Sequence, residues 1–260
     1  MTKALGSKEL WLAALRTDGP AMRAAFEQAA TGPAGLSAPV PPCPDWQVRD
    51  LIEHVGRVYR WVRGHASRGT TSRPEPSARE LPIELPPDDG LIAWWDREYQ
   101  QLLALLVELD PGLPAWHWAP APKLAGFWHR RMAHETAVHR WDAQMAVGQV
   151  EPVETRLAVD GVAEVLDSWL PAERRKGPVD RSGMVQLVAT DAGHKWFVRL
   201  RDTGVALLDT DTWLDHDEHH TRVLARGSAS DLLLALYGRV PFELLETSGD
   251  VTLLESLRTG

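Results

Sequence analysis

Apolar residues along the first 150 positions recur at intervals of three and four, the spacing that lines one side of a helix. The clearest run holds Val48, Leu51, Ile52, Val55, Val58, Tyr59 and Val62, with Asp45 as its predicted N-cap and Gly64 as its end. An earlier helical pattern spans Lys8 to Ala30. Asp18-Gly19-Pro20 predicts a break in it, with Asp18 capping the second piece and Pro20 in its first turn. A third helix starts from a cap at Asp88 or Asp89 and turns Leu91, Trp94, Trp95, Leu102, Leu105 and Leu109 inward, stopping at Asp110-Pro111-Gly112. A fourth runs from about Gly126 to Gly148. Gly32 to Pro44 contains five prolines, which forbids regular structure, and Arg68 to Gly90 is a long polar, proline-rich connection. Four amphipathic helices predict a bundle whose sites are built from inward side chains on facing helices.

After Glu151-Pro152 the pattern changes. One more helix, Glu154 to Trp169, leads into short β-rich segments at Met184 to Ala189, Lys195 to Arg201, Val205 to Asp209 and Arg222 to Ala225. A final helix, Ser230 to Tyr237, precedes Phe242 to Glu246 and the closing Val251 to Arg258. The chain therefore reads as α+β in two domains: a helical bundle over 1–150, and a smaller α+β domain over 151–260 with a mostly antiparallel sheet.

Composition narrows what such a protein can do. The formal net charge of -8, from 36 acidic and 28 basic side chains, repels phosphate backbones and argues against nucleic acid as a partner. Met1 to Leu10 lacks the features of a signal peptide. The most apolar run, Leu102 to Leu109, contains Glu108 and is far too short for a bilayer. Cys43 is the sole cysteine, so there is no internal disulfide, which fits a reducing cytoplasm. The same count rules out a thiolate cluster. Any metal must be held by histidine and carboxylate.

The fourth helix carries the informative stretch, Phe127 to Asp142. Its His134 and His139 are five apart and point in different directions, unlike the two histidines four apart of a zincin. Glu135 and His139 are four apart and share a face, with Trp128, Met132, Asp142 and Ala146 in the same arc, whereas Arg130, Arg131, His134 and Arg140 fall on other faces. A buried carboxylate needs compensation, and a divalent cation bound by Glu135 and neutral His139 would supply it. Asp142 is placed to accept from the other ring nitrogen of His139. A catalytic site wants a third protein ligand and an open position, and His54, on the flank of the second helix's apolar stripe, is the best source. Two histidines and a glutamate suit zinc, and also nickel, iron or manganese. The plain alternative is an intrahelical Glu135–His139 pair and a satisfied boundary histidine at 54.

Other residues carry weaker signals. Asp215 to His220 is dense in ligand types but has the composition of a solvated loop. Trp94, Trp95, Trp128 and Trp141 read as core, with Trp61 or Trp128 available to line a pocket. Cys43 has no identifiable adjacent base and reads as a packed small side chain rather than a nucleophile.

The stretch Pro42-Cys43-Pro44-Asp45-Trp46-Gln47-Val48-Arg49-Asp50-Leu51-Ile52-Glu53-His54-Val55 resembles the N-terminal motif of mycothiol-dependent maleylpyruvate isomerase-like proteins. Glu135, His139 and Asp142 match that family's second signature. Gly227 to Leu232, Leu236 to Arg239 and Gly249-Asp250 are similar to its C-terminal domain. The resemblance implies a DinB-like four-helix bundle binding a metal through His54, Glu135 and His139, and a C-terminal domain similar to the sterol-carrier-protein fold. It implies mycothiol as a thiol cofactor or co-substrate and a small electrophilic substrate, in cis–trans isomerisation or S-transfer. An arginine between the second and third helices serves catalysis in the isomerase, and Arg68, Arg73 and Arg79 are candidates. The same three ligands would also suit a metal-dependent hydrolase, and a non-enzymatic small-molecule-binding protein is a third alternative.

Overall fold

The computed structural model describes residues 6–74, 84–201, 204–208 and 221–259. It divides into two compact units. One comprises Ser7–His117 with Pro122–Glu151. Of the described residues, the other comprises 152–259, 118–121 and Gly6. Asp215 to His220, Arg79 and the end of the expected strand at Asp209 lie outside the described residues.

The first unit holds α1 (Lys8–Thr31), α2 (Val48–His65), α3 (Asp88–Glu108) and α4 (Gly126–Ala146). The expected break in α1 does not occur: the helix runs through Pro20 unbroken. Proline costs a helix one hydrogen bond and a clash with the preceding turn, but here the flanking residues gain tertiary partners. Asp18 is buried and accepts from Arg140 Nε at 3.0 Å rather than capping a second piece. Gly19 presents bare backbone to the ring of Tyr99, whose hydroxyl donates to Leu15 O at 2.8 Å.

Nor does Asp45 cap α2. The cap is Gln47, whose backbone N–H donates to Asp50 Oδ2 at 2.9 Å. Ahead of it the proline-rich segment folds into a tight loop, with Val40 N donating to Trp46 O, Trp46 N to Cys43 O and Val48 N to Ala38 O. At α3 the cap position is Pro87, and Asp88 and Asp89 occupy the first turn, where their charge opposes the helix dipole favourably. Of its expected inward residues, Leu105 is only half-buried and its neighbour Leu106 is fully buried instead.

The larger correction concerns α4. Arg130, Arg131, His134 and Arg140, expected on faces other than that of Glu135 and His139, are all buried as well, at 7%, 3%, 0% and 3% exposure. The helix packs against both α1 and α2 and is enclosed on every side from Trp128 to Gln144, with only Glu135 partly open. Its polar side chains survive burial because they have partners. Arg140 bonds Asp18 and Gln144, and His129 bonds the carbonyls of Ala125 and Leu106.

The second unit starts with α5 (Thr155–Glu164), capped by the Glu154 carboxylate accepting from the N–H groups of Arg156 and Leu157. The helix continues as a wider π turn over Val165–Trp169. Among the described residues five strands follow: β1 (Gly183–Ala189), β2 (His194–Arg201), β3 (Gly204–Leu208), β4 (Arg222–Gly227) and β5 (Glu246–Gly249). The sheet order is β3-β2-β1-β4-β5, antiparallel except for β1 against β4. Gly193, at φ +62°, serves the turn between β1 and β2. Alpha helices α6 (Ala229–Leu236) and α7 (Thr252–Glu255) complete the unit. The expected mostly antiparallel sheet is therefore present, and Phe242–Leu244 forms a single 3-10 turn ahead of β5. Among the described residues no helix is long and apolar enough to cross a membrane.

Two measurements probe this architecture. A Cβ on Gly19 would fall 2.3 Å from a ring carbon of Tyr99. Although alanine favours helix over glycine, Gly19→Ala is expected to lower the unfolding free energy in urea by about 1–3 kcal/mol. Unchanged or higher stability would show that α1 and α3 are not pressed together there. Burial also lowers the pKa of His65 and of His117 to about 4, so both are neutral in the folded chain at neutral pH. The unfolded chain takes up protons near pH 6.5 that the fold refuses until about 4. Stability should therefore fall as pH drops from 6.5 towards 4, read as a falling melting temperature, and the fall should be shallower in His65→Gln.

Candidate metal centre

The sequence places four potential contributors on two helices. His54 comes from the middle of α2, with its side chain 27% exposed. Glu135, His139 and Asp142 follow one another along α4 at helical spacing, so their side chains project to one side. The two helices pack side by side, and three donor atoms converge: Glu135 Oε1 lies 3.4 Å from His54 Nε2 and 3.4 Å from His139 Nε2. All three donor atoms lie within 4.8 Å of one another. Asp142, fully buried, faces His139 Nδ1 at 2.8 Å, as its place on the helix suggested.

The surroundings hold this group in place. The loop before α2 brings the Trp46 ring to 4.8 Å from the His54 ring and lays it nearly parallel to His139 at 6.4 Å. Cys43 Sγ reaches 4.0 Å from Asp142 Oδ2. Behind Glu135, Arg131 Nη2 donates to Oε2 at 3.2 Å. The two carboxylate oxygens are thus divided, one facing the imidazoles and the other the guanidinium. Below, Tyr59 and Thr136 share a 2.6 Å hydrogen bond in the fully buried floor between α2 and α4.

Electrostatics follow from this geometry. Burial would raise the pKa of Glu135, but the hydrogen bonds and charges of His139, His54 and Arg131 outweigh it and hold the carboxyl well below the usual range. For His139, burial pulls down while Asp142 and Glu135 pull up, and the net shift is upward. Each partner stabilises the charged form of the other. That is a site organised around charge.

The donor set suits a divalent cation. Donors at about 2.0–2.1 Å from a tetrahedral zinc are separated by about 3.3 Å, close to the two separations of 3.4 Å seen here. The contact of His139 Nδ1 with Asp142 fixes the tautomer and turns the lone pair of Nε2 towards the other donors. Three protein donors leave room for an exogenous fourth.

Sequence reasoning missed Arg131 by assigning it to another face. The i, i+4 rule that joins Glu135 to His139 applies equally to Arg131 and Glu135, and would have found it. Trp46 had no local signal, since only the folded loop brings it over the imidazoles. Trp61 packs edge-on to Trp128 at 5.3 Å, in an aromatic group with His65 and Trp116. Trp94, Trp95, Trp128 and Trp141 are core, as expected.

The chain thus combines a helical bundle carrying a His–Glu–His donor set able to chelate a metal with an α+β unit. Residues 12–144 match the mycothiol maleylpyruvate isomerase N-terminal domain, and residues 156–256 match the MDMPI C-terminal domain. The chain belongs to the mycothiol maleylpyruvate isomerase family. Two solved structures share its fold. One is the crystal structure of the mycothiol-dependent maleylpyruvate isomerase, with a TM-score of 0.59. The other is a histidine-to-alanine mutant of that enzyme, with a TM-score of 0.61. Each is 14% identical to this chain over 95% of it and 96% of the other. No curated protein matches the sequence.

Proposed function

We propose that the protein is a metal-dependent enzyme that uses a low-molecular-weight thiol, mycothiol, on a small electrophilic substrate, in cis–trans isomerisation or S-transfer. The observation that carries this reading is the convergence of His54 Nε2, Glu135 Oε1 and His139 Nε2 from two helices. These residues would hold one divalent cation, zinc by its preference for such a donor set. When bound, the cation supplies Lewis acidity, drawing a thiol whose free pKa is about 8.5 towards its thiolate form at neutral pH.

The chain's own residues prepare the site for that role. Asp142 holds His139 in one tautomer, Arg131 holds Glu135 by its second oxygen, and Trp46 covers the imidazole pair. The partial exposure of His54 and Glu135 leaves access from solvent on the side where a thiol must enter. Family membership supports the choice of thiol and reaction class: the related enzymes of known fold are named for mycothiol and maleylpyruvate. Reversible thiol addition to an activated double bond permits rotation and gives isomerisation, whereas a thiol that stays attached gives S-transfer.

Conversion of maleylpyruvate by the zinc-loaded protein, followed spectrophotometrically, is expected only when mycothiol is added. Turnover that needs metal but no thiol would overturn the reading in favour of hydrolysis. His54→Ala and His139→Ala should each lose the metal and about 100-fold or more of the activity, while Asp142→Asn should weaken metal affinity by about 10–100-fold through the freed imidazole. Chelator competition on each purified variant checks these values.

A further inference from the structure

We infer that Arg131 sets the charge preference of the exogenous ligand, making the site favour an anionic ligand, a thiolate above all, over a neutral one. The inference rests on the metal site proposed above and concerns what occupies its remaining position.

Arg131 lies one turn before Glu135 on α4, and its side chain is only 4% exposed. Its Nη2 donates to Glu135 Oε2 at 3.2 Å, while Oε1 of the same carboxylate faces both imidazoles. A guanidinium does not deprotonate in a protein. Its charge is therefore permanent, and so little solvent reaches it that screening is weak. The carboxylate between it and the imidazoles is a single planar group, so the positive charge stands immediately behind a metal ligand.

That position has two consequences of opposite sign. A fixed positive charge repels a divalent cation, so it works against metal affinity. It attracts a negatively charged ligand at the same site, so it works for thiolate binding. Replacing Arg131 by a neutral side chain makes the surroundings one unit more negative, whatever else faces that side chain. A role confined to holding Glu135 in place would have a different signature. Losing it would loosen a metal ligand, and metal affinity would fall while ligand selectivity stayed the same.

The test uses the full chain, stripped of metal and then titrated. Arg131→Gln keeps a donor for Oε2 without the charge, and Arg131→Lys keeps the charge without the planar fork. Zinc affinity is read by competition with a chromophoric chelator. On the zinc-loaded proteins, calorimetry gives the affinities for mycothiol and for imidazole, an uncharged ligand. In Arg131→Gln, zinc should bind as tightly as in the parent or more tightly, mycothiol about tenfold or more weakly, and imidazole no more weakly. Arg131→Lys should retain mycothiol affinity to within about threefold. A tenfold loss of zinc affinity in Arg131→Gln would overturn the inference and leave the arginine a support for Glu135. So would an equal fall in mycothiol and imidazole affinity. Should Arg131→Gln fail to fold, Arg131→Met carries the ligand comparison: mycothiol should weaken about tenfold or more relative to imidazole, and an equal fall in both would overturn the inference. If the parent chain itself binds no zinc, the metal reading fails, a result distinct from any of these.

Discussion

A carboxylate cannot be largely withdrawn from water without a counter-charge, and the near-burial of Glu135 in α4 sets the terms for much of the helical unit. Its two oxygens are satisfied by different means, one by Arg131 from the same helix and the other by imidazoles from α2 and α4. The second arrangement requires α2 and α4 to lie side by side at one height. The buried Tyr59–Thr136 hydrogen bond, one turn beyond His54 on α2 and beside Glu135 on α4, fixes that height. His139 in turn depends on Asp142, whose carboxylate is fully buried. The donors form a connected polar group, and removing one member leaves the others paying the cost of burial.

The same constraint accounts for α4 as a whole. A helix carrying so many charged residues would ordinarily turn one side to solvent. Here it packs against α1 and α2, and two of its buried cations meet carboxylates: Arg131 bonds Glu135 and Arg140 bonds Asp18. The Arg140–Asp18 pair also bears on α1. By drawing Asp18 inward it helps carry that helix through a proline that would otherwise mark its end. Local sequence preference gives way where tertiary partners are strong enough.

Sequence patterns made much of this legible, and the failures share a cause. The stripe of α2 was readable because one side of that helix meets the core and the other is more open, and β1 and β2 were readable from their β-rich composition, since β1 is buried on both faces and shows no alternation. Periodicity also placed Glu135, His139 and Asp142 on one side of α4, where Glu135 and His139 lie beside His54 and Asp142 contacts His139. What periodicity could not show was that the remaining sides of α4 are buried as well, which hid Arg131 and Arg140. The caps at Asp18 and Asp45 were misread for a related reason. A polar residue before an apolar run looks like a cap, yet Asp18 is engaged by a residue 122 positions away, and the loop before α2 closes on itself one turn later. Partners so distant in sequence leave no local trace.

The account depends on a single ion sitting among two imidazoles and one carboxylate. X-ray absorption at the zinc edge, on protein purified without added chelator, reads both the presence of that ion and the atoms around it. The expected spectrum is one zinc per chain with nitrogen and oxygen neighbours at about 2.0–2.1 Å and, before thiol is added, no sulfur. A spectrum dominated by sulfur before thiol addition, or a site whose nitrogen neighbours persist unchanged when both His54 and His139 are replaced, would contradict it.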